Sequence, residues 1–423
     1  MQIRRAVVAL LVAGTLAACG GAPSAPEALS LERSKARFEQ VGVDETRADV
    51  TALVAAATRL GARLAVGDPR AGSTAVSPWS VLNLLGMLRA GAKDETAGQL
   101  DTAGLGAAGN LPRAMAALTG QTAQWAGDPG TVPASSPPPT PLFQSQVALL
   151  TAKQPEDRRV RADYLDRLSA SYDTGVYPVD FGPGIGEPLG EWVAVNTGSS
   201  FTSAPLRTDP DTRLAAATTA YLAAAWRSPF DAARTRPAPF TAADGTVLDP
   251  ATMHGTVPAR VAAGEGYTAL QLDYGTTLAL QIVVPTPGTP LADAASEGHA
   301  TAARIALAGA PSALHEVSLP KWRAATWTSL VAPLRDAGLT GLFAGPGLDG
   351  IAPGSPTLAD ARAAAVLTVG EKGTASDAAT TPAAPEPAPG PAPFVVDRAF
   401  AYSVVDTATG LPLLMGTVSR PGT

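Results

Sequence analysis

The first half of the chain carries apolar residues at helical spacing in two segments. In residues 45–65 the apolar side chains recur every three or four positions, which predicts an amphipathic helix. Further on, Ser77 and Pro78 are typical of a helix N-cap followed by proline at the first helical position. Apolar residues then continue to Leu88 on most sides, so we expect this second helix to be deeply buried.

The second half contains short β-rich apolar runs that predict strands. One run covers residues 278–284, and two more cover residues 316–319 and 364–369. Residues 402–405 and 411–418 flank a Thr-Gly turn, which predicts a hairpin. Helices therefore gather early and strands late, without the regular alternation of a doubly wound sheet. This order favours an α+β fold.

Composition narrows the classes of function. The 423 residues include 31 Lys and Arg against 37 Asp and Glu, a net charge of −6, so we expect no nucleic-acid partner. One cysteine and three separated histidines leave little room for a metal centre, and we expect neither metal nor cofactor. Residues 104–109 match a dinucleotide-binding string, but a polar, helix-like segment precedes them instead of a strand. We therefore expect no catalytic residues and predict that the protein is not an enzyme.

The N-terminus predicts export. Arg4 and Arg5 precede an apolar stretch of residues 6–18 that is too short to span a bilayer, as in a secretory signal. The sequence ending at Cys19 resembles the lipobox of bacterial lipoproteins. This resemblance implies a signal peptide over residues 1–18 and a lipid on Cys19 that holds an exported cell-envelope protein at the membrane, facing the extracytoplasmic side. The alternative is a secretory signal with an incidental cysteine.

The mature chain divides simply. A lipidated N-terminus and flexible tether is predicted for residues 19–40, and a single domain for residues 41–423. Residues 126–142 are rich in proline and serine and predict a surface insertion.

Six blocks of residues follow one another along the mature chain. The blocks are Ser77-Pro78-Trp79-Ser80 with the residues to Ala97, Glu191-Trp192-Val193 with Thr197, Tyr221 to Met253, Leu319-Pro320-Lys321-Trp322 with the residues to Phe343, Glu371-Lys372-Gly373-Thr374, and Asp397-Arg398-Ala399-Phe400 with Leu414-Met415-Gly416. In this order they resemble the serpins, a family of serine protease inhibitors, and the similarity runs from about residue 45 to residue 421.

The resemblance implies one α+β domain with three β-sheets, about eight or nine helices, and an exposed reactive-centre loop over residues 371–394. It also implies a monomer whose partner is a target protease: the protease cleaves the loop as a substrate, and the cut loop inserts into the largest sheet.

The first half of this loop suits insertion as a strand. Strand side chains alternate between two faces. If Thr374 faces the core, the small residues Ser376, Ala378 and Thr380 face inward with it, whereas Asp377 faces outward and stays hydrated. The alternative is a small-residue linker in an alanine-rich chain. The predicted hinge consists of Glu371, Gly373, Thr374, Ala375, Ser376, Ala378 and Ala379.

The second half of the loop is rich in proline. Six prolines fill residues 382–393, and proline is nearly excluded from central strands, so insertion past Thr381 should be costly. Family spacing from Glu371 implies that the reactive bond is Pro387–Ala388, with Ala383–Ala384 as the second choice. These bonds predict a target protease that prefers proline or alanine.

The residues that control opening of the sheet depart from the family. Serpins usually carry an asparagine where Thr218 stands and a histidine where Ala363 stands, bonded to serines that correspond to Ser77 and Ser80. Because both partners are absent together, we expect no buried polar group to be left unpaired.

Three hypotheses follow. The first is an envelope-anchored serpin that inhibits an extracytoplasmic serine protease, or a cysteine protease, by loop cleavage and insertion. The second is a non-inhibitory serpin with a binding or structural role, which the prolines favour. The third is a hydrolase or sugar-binding lipoprotein that only looks like a serpin.

Overall fold

The computed structural model describes residues 29–66, 72–133, 136–374 and 393–422. These residues form nine α-helices and sixteen β-strands, with short 3₁₀ turns between them. None of the helices in the described part of the chain is long and apolar enough to cross a membrane. The helices are α1 Arg47–Ala65, α2 Pro78–Gly91, α3 Asp94–Thr102, α4 Leu111–Ala123, α5 Ala162–Tyr172, α6 Gly186–Asn196, α7 Leu291–Ala294, α8 Glu297–Gly309 and α9 Val331–Asp336.

The first two helices begin and pack as the sequence predicts. The predicted stripe of α1 is buried, and the side-chain oxygen of Ser77 accepts a hydrogen bond from the Ser80 amide at the start of α2. Pro78 occupies the first turn of α2, where its missing N–H leaves no intrahelical bond unmade. Apolar residues on most sides of α2 are buried in the main core, so this helix is central to the molecule.

Three β-sheets hold the sixteen strands of the described residues. The largest pairing network has eight strands, because the long strand β7 pairs with one set of neighbours along its first part and with another set along its second part. This sheet contains β4 Arg236–Pro237, β7 Ala251–Gly264, β8 Tyr267–Tyr274, β9 Leu278–Pro285, β10 Ala313–Pro320, β14 Phe394–Val395, β15 Phe400–Asp406 and β16 Pro412–Val418. The small sheet contains β5 Phe240–Thr241 and β6 Val247–Leu248.

The third sheet has six strands in the order β11-β12-β13-β3-β1-β2. Strands β3 and β12 pair directly with each other in parallel over most of their length, and the two-residue strand β13 lies between their ends. The strands are β1 Leu142–Ala152, β2 Tyr177–Val179, β3 Leu214–Ala225, β11 Trp322–Ser329, β12 Leu358–Gly370 and β13 Gly373–Thr374.

Strands β3 and β12, at the centre of the six-stranded sheet, are buried along most of their length. Along β3, Ala216 and Ala220 belong to the main core, whereas Ala215 and Ala217 belong to a second cluster that includes Leu189 of α6. This alternation follows from the two-residue period of a strand. Small side chains on both faces therefore let helices pack closely above and below the sheet.

The predicted strands are present, and two details of the sequence interpretation were wrong. The hairpin forms from β15 and β16, which pair antiparallel, and Gly410 in its turn has φ 77°. Strand β12 starts six residues before the predicted run. Strands β1 and β2 also lie in the first half of the chain, among the helices, so strands do not simply follow helices. Strand β1 escaped prediction because polar residues, Gln144 to Gln146, interrupt its apolar pattern.

The described residues of the proline-rich segment 126–142 are mostly exposed or half-buried. Pro129 and Pro137 are buried, and the Pro138 carbonyl accepts a hydrogen bond from the Ala225 amide at 3.1 Å. The segment thus contacts the end of β3, next to strand β13.

Candidate functional site

The parallel strands β3 and β12 separate at one end, and we call this end, between residues 224–225 of β3 and 369–370 of β12, the fork. The pairing runs from Leu214 beside Leu358 to Tyr221 beside Val366. Beyond that point β13 lies between the two strands, with Thr374 opposite Ala224 on β3 and Val369 on β12. We call the directly paired part the seam. Strand β13 runs antiparallel to both strands, so the predicted hinge begins inside the sheet.

Gly373 occupies a position that only glycine fits. Its φ is 143°, a conformation that side chains rarely adopt, and a Cβ atom there would lie 2.1 Å from the Ala224 carbonyl oxygen. The glycine therefore lets the chain turn back from β12 and enter the fork in close contact with β3.

Thr374 is fully buried in the fork. Its exposed fraction is 0%, and its hydroxyl lies 2.6 Å from the Tyr274 hydroxyl. Burial raises the pKa of Tyr274, so the phenol stays protonated and available for this hydrogen bond. The Tyr274 ring stacks on Trp226 with centroids 4.2 Å apart. Thr374 thus faces the core, which is the condition from which the predicted alternation of the loop starts.

Two aromatic residues hold the turn between β12 and β13. The Trp226 indole N–H donates to the Gly370 carbonyl at 2.8 Å, and its backbone N–H donates to the Lys372 carbonyl at 2.9 Å. The Phe230 backbone N–H donates to the Glu371 carbonyl at 2.8 Å. The sequence interpretation noted both aromatics in a family block without assigning them this role, because the contacts join segments far apart in the chain.

Glu371 is a buried carboxylate with two side-chain partners. Its side chain is 7% exposed, accepts a hydrogen bond from the Thr235 hydroxyl at 2.9 Å, and lies 3.1 Å from the Lys321 ammonium group. Burial by itself would raise the pKa of Glu371, but hydrogen bonds from its own backbone, Thr235 and Lys321, with the charge of Lys321, lower it below the usual value. The ionised form therefore anchors the start of the hinge.

The sheet-opening residues lie at the middle of the seam. The Ser80 hydroxyl lies 2.8 Å from the Ser145 hydroxyl, so it bonds to a serine of β1 that the sequence interpretation missed. Thr218 pairs directly with Ala363 across the seam. The buried Thr218 hydroxyl has no hydrogen-bond partner among the described residues. The expectation that no polar group would be unpaired here is therefore wrong: the methyl group of Ala363 offers neither donor nor acceptor.

The remaining predicted site residues lie outside the described residues. Among the described ranges, no group of three or more His, Cys, Asp or Glu side chains could hold a metal ion. At the other end of the loop, β14 pairs with β10 in parallel. The site residues outside the described ranges are Cys19, Ala375, Ser376, Ala378, Ala379, Ala383, Ala384, Pro387 and Ala388.

Comparison with known proteins shows the family of this chain. The family model described as "Serpin (serine protease inhibitor)" matches residues 52–421. The chain belongs to the serpin family. Members of this family are typically protease inhibitors that act on target proteases, rather than catalysts, although some are non-inhibitory. The predicted α+β serpin fold, with three sheets and nine helices in the described part of the chain, is confirmed.

Relatives of this serpin occur in distant organisms. It is 28% identical over 357 residues to an uncharacterized serpin-like protein of Thermococcus kodakarensis, covering 82% of this chain and 80% of that protein. A putative serpin of Oryza sativa subsp. japonica is 28% identical over 414 residues, covering 87% of this chain and 95% of the relative.

Solved serpin structures share the fold at low sequence identity. The thermophilic serpin tengpin in its native state has a TM-score of 0.78 at 15% identity, covering 93% of this chain and all of tengpin. Native protease nexin-1 with heparin has a TM-score of 0.71 at 22% identity, covering 88% of this chain and all of the other. At these identities the likeness supports the fold and nothing finer.

Proposed function

We propose that this serpin inhibits an extracytoplasmic serine protease by inserting its cleaved loop between β3 and β12. The observation that carries the proposal is the position of β13, which already lies in the fork and runs antiparallel to both neighbours. Continuing the chain in that direction separates the seam one residue pair at a time. The inserted strand replaces one parallel pairing with two antiparallel pairings, which adds ladder hydrogen bonds at roughly 1 kcal/mol each.

The register of β13 also answers the objection from proline. Thr374 lies opposite Ala224, so continuing the register places Thr381 opposite Ala217 and Pro382 opposite Ala216. Strand β3 begins at Leu214, only two residues further on. The segment before the first proline is therefore long enough to fill most of the seam.

The same register gives the unpaired Thr218 hydroxyl a partner in the proposed inserted state. Thr380 would stand opposite Thr218 on the inward face, where threonine pairs can form hydrogen bonds across strands. An unpaired buried hydroxyl costs about 1–3 kcal/mol, so its satisfaction on insertion favours the cleaved, inserted form.

The target would be a protease that accepts proline or alanine at the bond Pro387–Ala388, or at Ala383–Ala384. Serine proteases are the first choice and cysteine proteases the second. The basis for this choice is the sequence of the loop, which has no lysine or arginine between Lys372 and Arg398. A trypsin-like enzyme, which cleaves after lysine or arginine, therefore finds no bond to cleave there.

Incubation with elastase-like and proline-specific proteases tests this function. Inhibition predicts a covalent complex that survives SDS, and mass spectrometry of the released fragment locates the bond. Insertion also predicts that the cleaved protein unfolds at a markedly higher temperature than the intact one. Clean cleavage without a complex across the panel, and with no rise in melting temperature, would contradict inhibition.

That negative outcome is what the second candidate function predicts. A non-inhibitory serpin with a binding or structural role is favoured by the proline run and by Ala363, which removes a family partner at the seam. A raised melting temperature after cleavage without any complex would mean that insertion occurs but does not trap a protease.

Anchoring in the cell envelope through a lipid on Cys19 completes the proposal. It rests on the lipobox resemblance at the only cysteine of the chain. Intact-mass measurement of the protein from membranes should give a diacylated N-terminal cysteine, and Cys19→Ala should release the protein from the membrane fraction. A wild-type protein that starts at another residue, or that is free of lipid, would contradict the anchor.

A further inference from the structure

A cavity of about 310 Å³ lies beside the aromatic residues that hold the hinge. This volume is near the lower end of the range for small-molecule sites, roughly 300–1,000 Å³. Trp226, Phe230 and Leu272 contribute buried apolar surface, and Arg227, Asp273 and Ser312 contribute polar groups. A cavity that combines apolar walls with a few polar groups is the usual form of a binding site for a small organic molecule.

Arg227 is the group of the cavity lining that can pair with an anion. The Arg227 backbone N–H donates to the Asp273 carbonyl at 2.9 Å, which fixes the position of this residue. The exposed Arg227 guanidinium forms no hydrogen bond or ion pair with any other described residue, whereas the Asp273 carboxylate already accepts a hydrogen bond from Gln271 at 2.9 Å. A planar guanidinium matches a carboxylate through two parallel hydrogen bonds.

We propose that this cavity binds a small aromatic carboxylate. The aromatic ring of the ligand packs against Trp226 and Phe230, and its carboxylate pairs with Arg227. Ring packing between aromatic groups contributes beyond the apolar area it buries. The site does not depend on protease inhibition, because every group that forms it belongs to the intact protein.

Two residues that line the cavity also hold the start of the predicted hinge, so binding of a ligand here should affect the hinge. Trp226 and Phe230 are the residues whose N–H groups hold the carbonyls of Gly370, Glu371 and Lys372. A ligand that binds the folded arrangement stabilises it against local opening. The backbone amides of Trp226 and Phe230 should therefore exchange hydrogen more slowly when the ligand is bound.

Titration calorimetry on the intact protein tests the site, with indole-3-acetate as the probe and the neutral indole-3-acetamide as its matched analogue. The acetate should bind one molecule per chain, and the acetamide at least roughly tenfold more weakly, because it cannot form the charged pair. Arg227→Met should weaken the acetate by a similar factor and remove the preference for the acid. Arg236→Met removes an exposed arginine that does not line the cavity and should leave both affinities unchanged.

Two further measurements decide between outcomes. Ser312→Trp places a large side chain in the cavity and should abolish binding of both probes, while thermal unfolding verifies that each variant is folded. Equal binding of acid and amide, a preference that survives Arg227→Met, or no saturable binding at all would overturn the proposal. Failure of protease inhibition would leave these results untouched, so the two proposals can fail separately.

Discussion

At the scale of single side chains, two buried polar residues behave in opposite ways: Glu371 in the turn between β12 and β13, and Thr218 in strand β3. Glu371 has partners for its charge in Thr235 and Lys321. Thr218 has a buried hydroxyl with no partner among the described residues. Burial of a satisfied polar group costs little, whereas an unsatisfied one carries the full loss of its hydration. The first group therefore stabilises the intact state and the second destabilises it.

Replacement of the Glu371 charge should destabilise the intact protein in a pH-dependent way. Glu371→Gln should lower the free energy of unfolding by about 1–3 kcal/mol at neutral pH, because hydrogen bonds to a charged group are lost. The folded-state pKa of Glu371 lies below its ordinary value of 4.5, so its contribution is complete above pH 4.5 and is lost as the pH falls through the folded-state pKa.

Denaturant unfolding of both proteins across this pH range gives the measurement. The difference between wild type and Glu371→Gln should narrow below pH 4.5. The exposed Glu191 on α6 provides the control, since Glu191→Gln should change the free energy of unfolding by less than about 0.5 kcal/mol. A difference that stays constant down to acid pH would contradict the role of the ionised carboxylate.

Removal of the Thr218 hydroxyl should stabilise the intact protein. Thr218→Val keeps the shape of the side chain and should raise the free energy of unfolding by up to about 1 kcal/mol. It should also reduce the gain in melting temperature after cleavage, because the proposed pairing with Thr380 is lost. Thr197→Val is the matched control: this buried hydroxyl donates to the Val193 carbonyl at 2.8 Å, so its loss should destabilise. Destabilisation by Thr218→Val would show that the hydroxyl is satisfied.

At the scale of elements, the turn between β12 and β13 sets the starting point of the proposed insertion. Strand β13 is only two residues long, yet it makes antiparallel pairings on both sides. Nucleation of a strand between two others is the costly step, since later residues add hydrogen bonds to a chain already positioned. In the proposed mechanism, the intact protein therefore already holds the first residues of the inserting strand between β3 and β12.

A charge at Thr374 should prevent that step. Thr374→Arg would bury an unpaired guanidinium beside Tyr274, which costs several kcal/mol, so β13 should leave the fork. The variant should be cleaved as a substrate, with the ratio of cleaved product to complex raised at least roughly tenfold, a factor that needs only about 1.4 kcal/mol. Thr374→Ser retains the hydroxyl and should behave as wild type. Gel densitometry of the two products gives the ratio, and an unchanged ratio would contradict the role of the hinge.

At the scale of the whole molecule, the six-stranded sheet is a core layer and, in the proposed mechanism, also the layer that opens to accept the cleaved loop. Its alanine-rich strands pack against α6 on one face and the main core on the other. A layer of small side chains can separate at one seam without leaving large cavities, since little interdigitated volume is lost. The same composition that permits close packing therefore permits opening.

The first proline of the loop should limit how far the cleaved strand extends. Pro382→Ala should stabilise the cleaved form by about 1 kcal/mol through one restored ladder hydrogen bond, measured by guanidinium unfolding of cleaved proteins. Pro393→Ala, on the far side of the reactive bond, is the control for the effect of proline on the unfolded chain. Equal changes in both variants would argue against insertion as far as residue 382.

Local patterns predicted the parts of the fold that depend on neighbours in sequence. The stripe of α1, the cap of α2 and the final hairpin follow from spacing, capping and turn chemistry within a few residues. Strand β1 was missed because its polar residues, Gln144 to Gln146, interrupt the run of apolar residues that predicts a buried strand. Ser145 belongs to this stretch, so its bond to Ser80 was missed with it.

The sequence by itself determined the family and the α+β class, and it shows the glycine at position 373 and the unusual prolines of the predicted loop. Only the tertiary structure decided that β13 already lies in the fork, that Trp226 holds Gly370 across 144 residues of chain, and that Thr218 has no partner. These contacts join residues far apart in the chain. Strand register and side-chain packing set them, and neither leaves a periodic signal in the sequence.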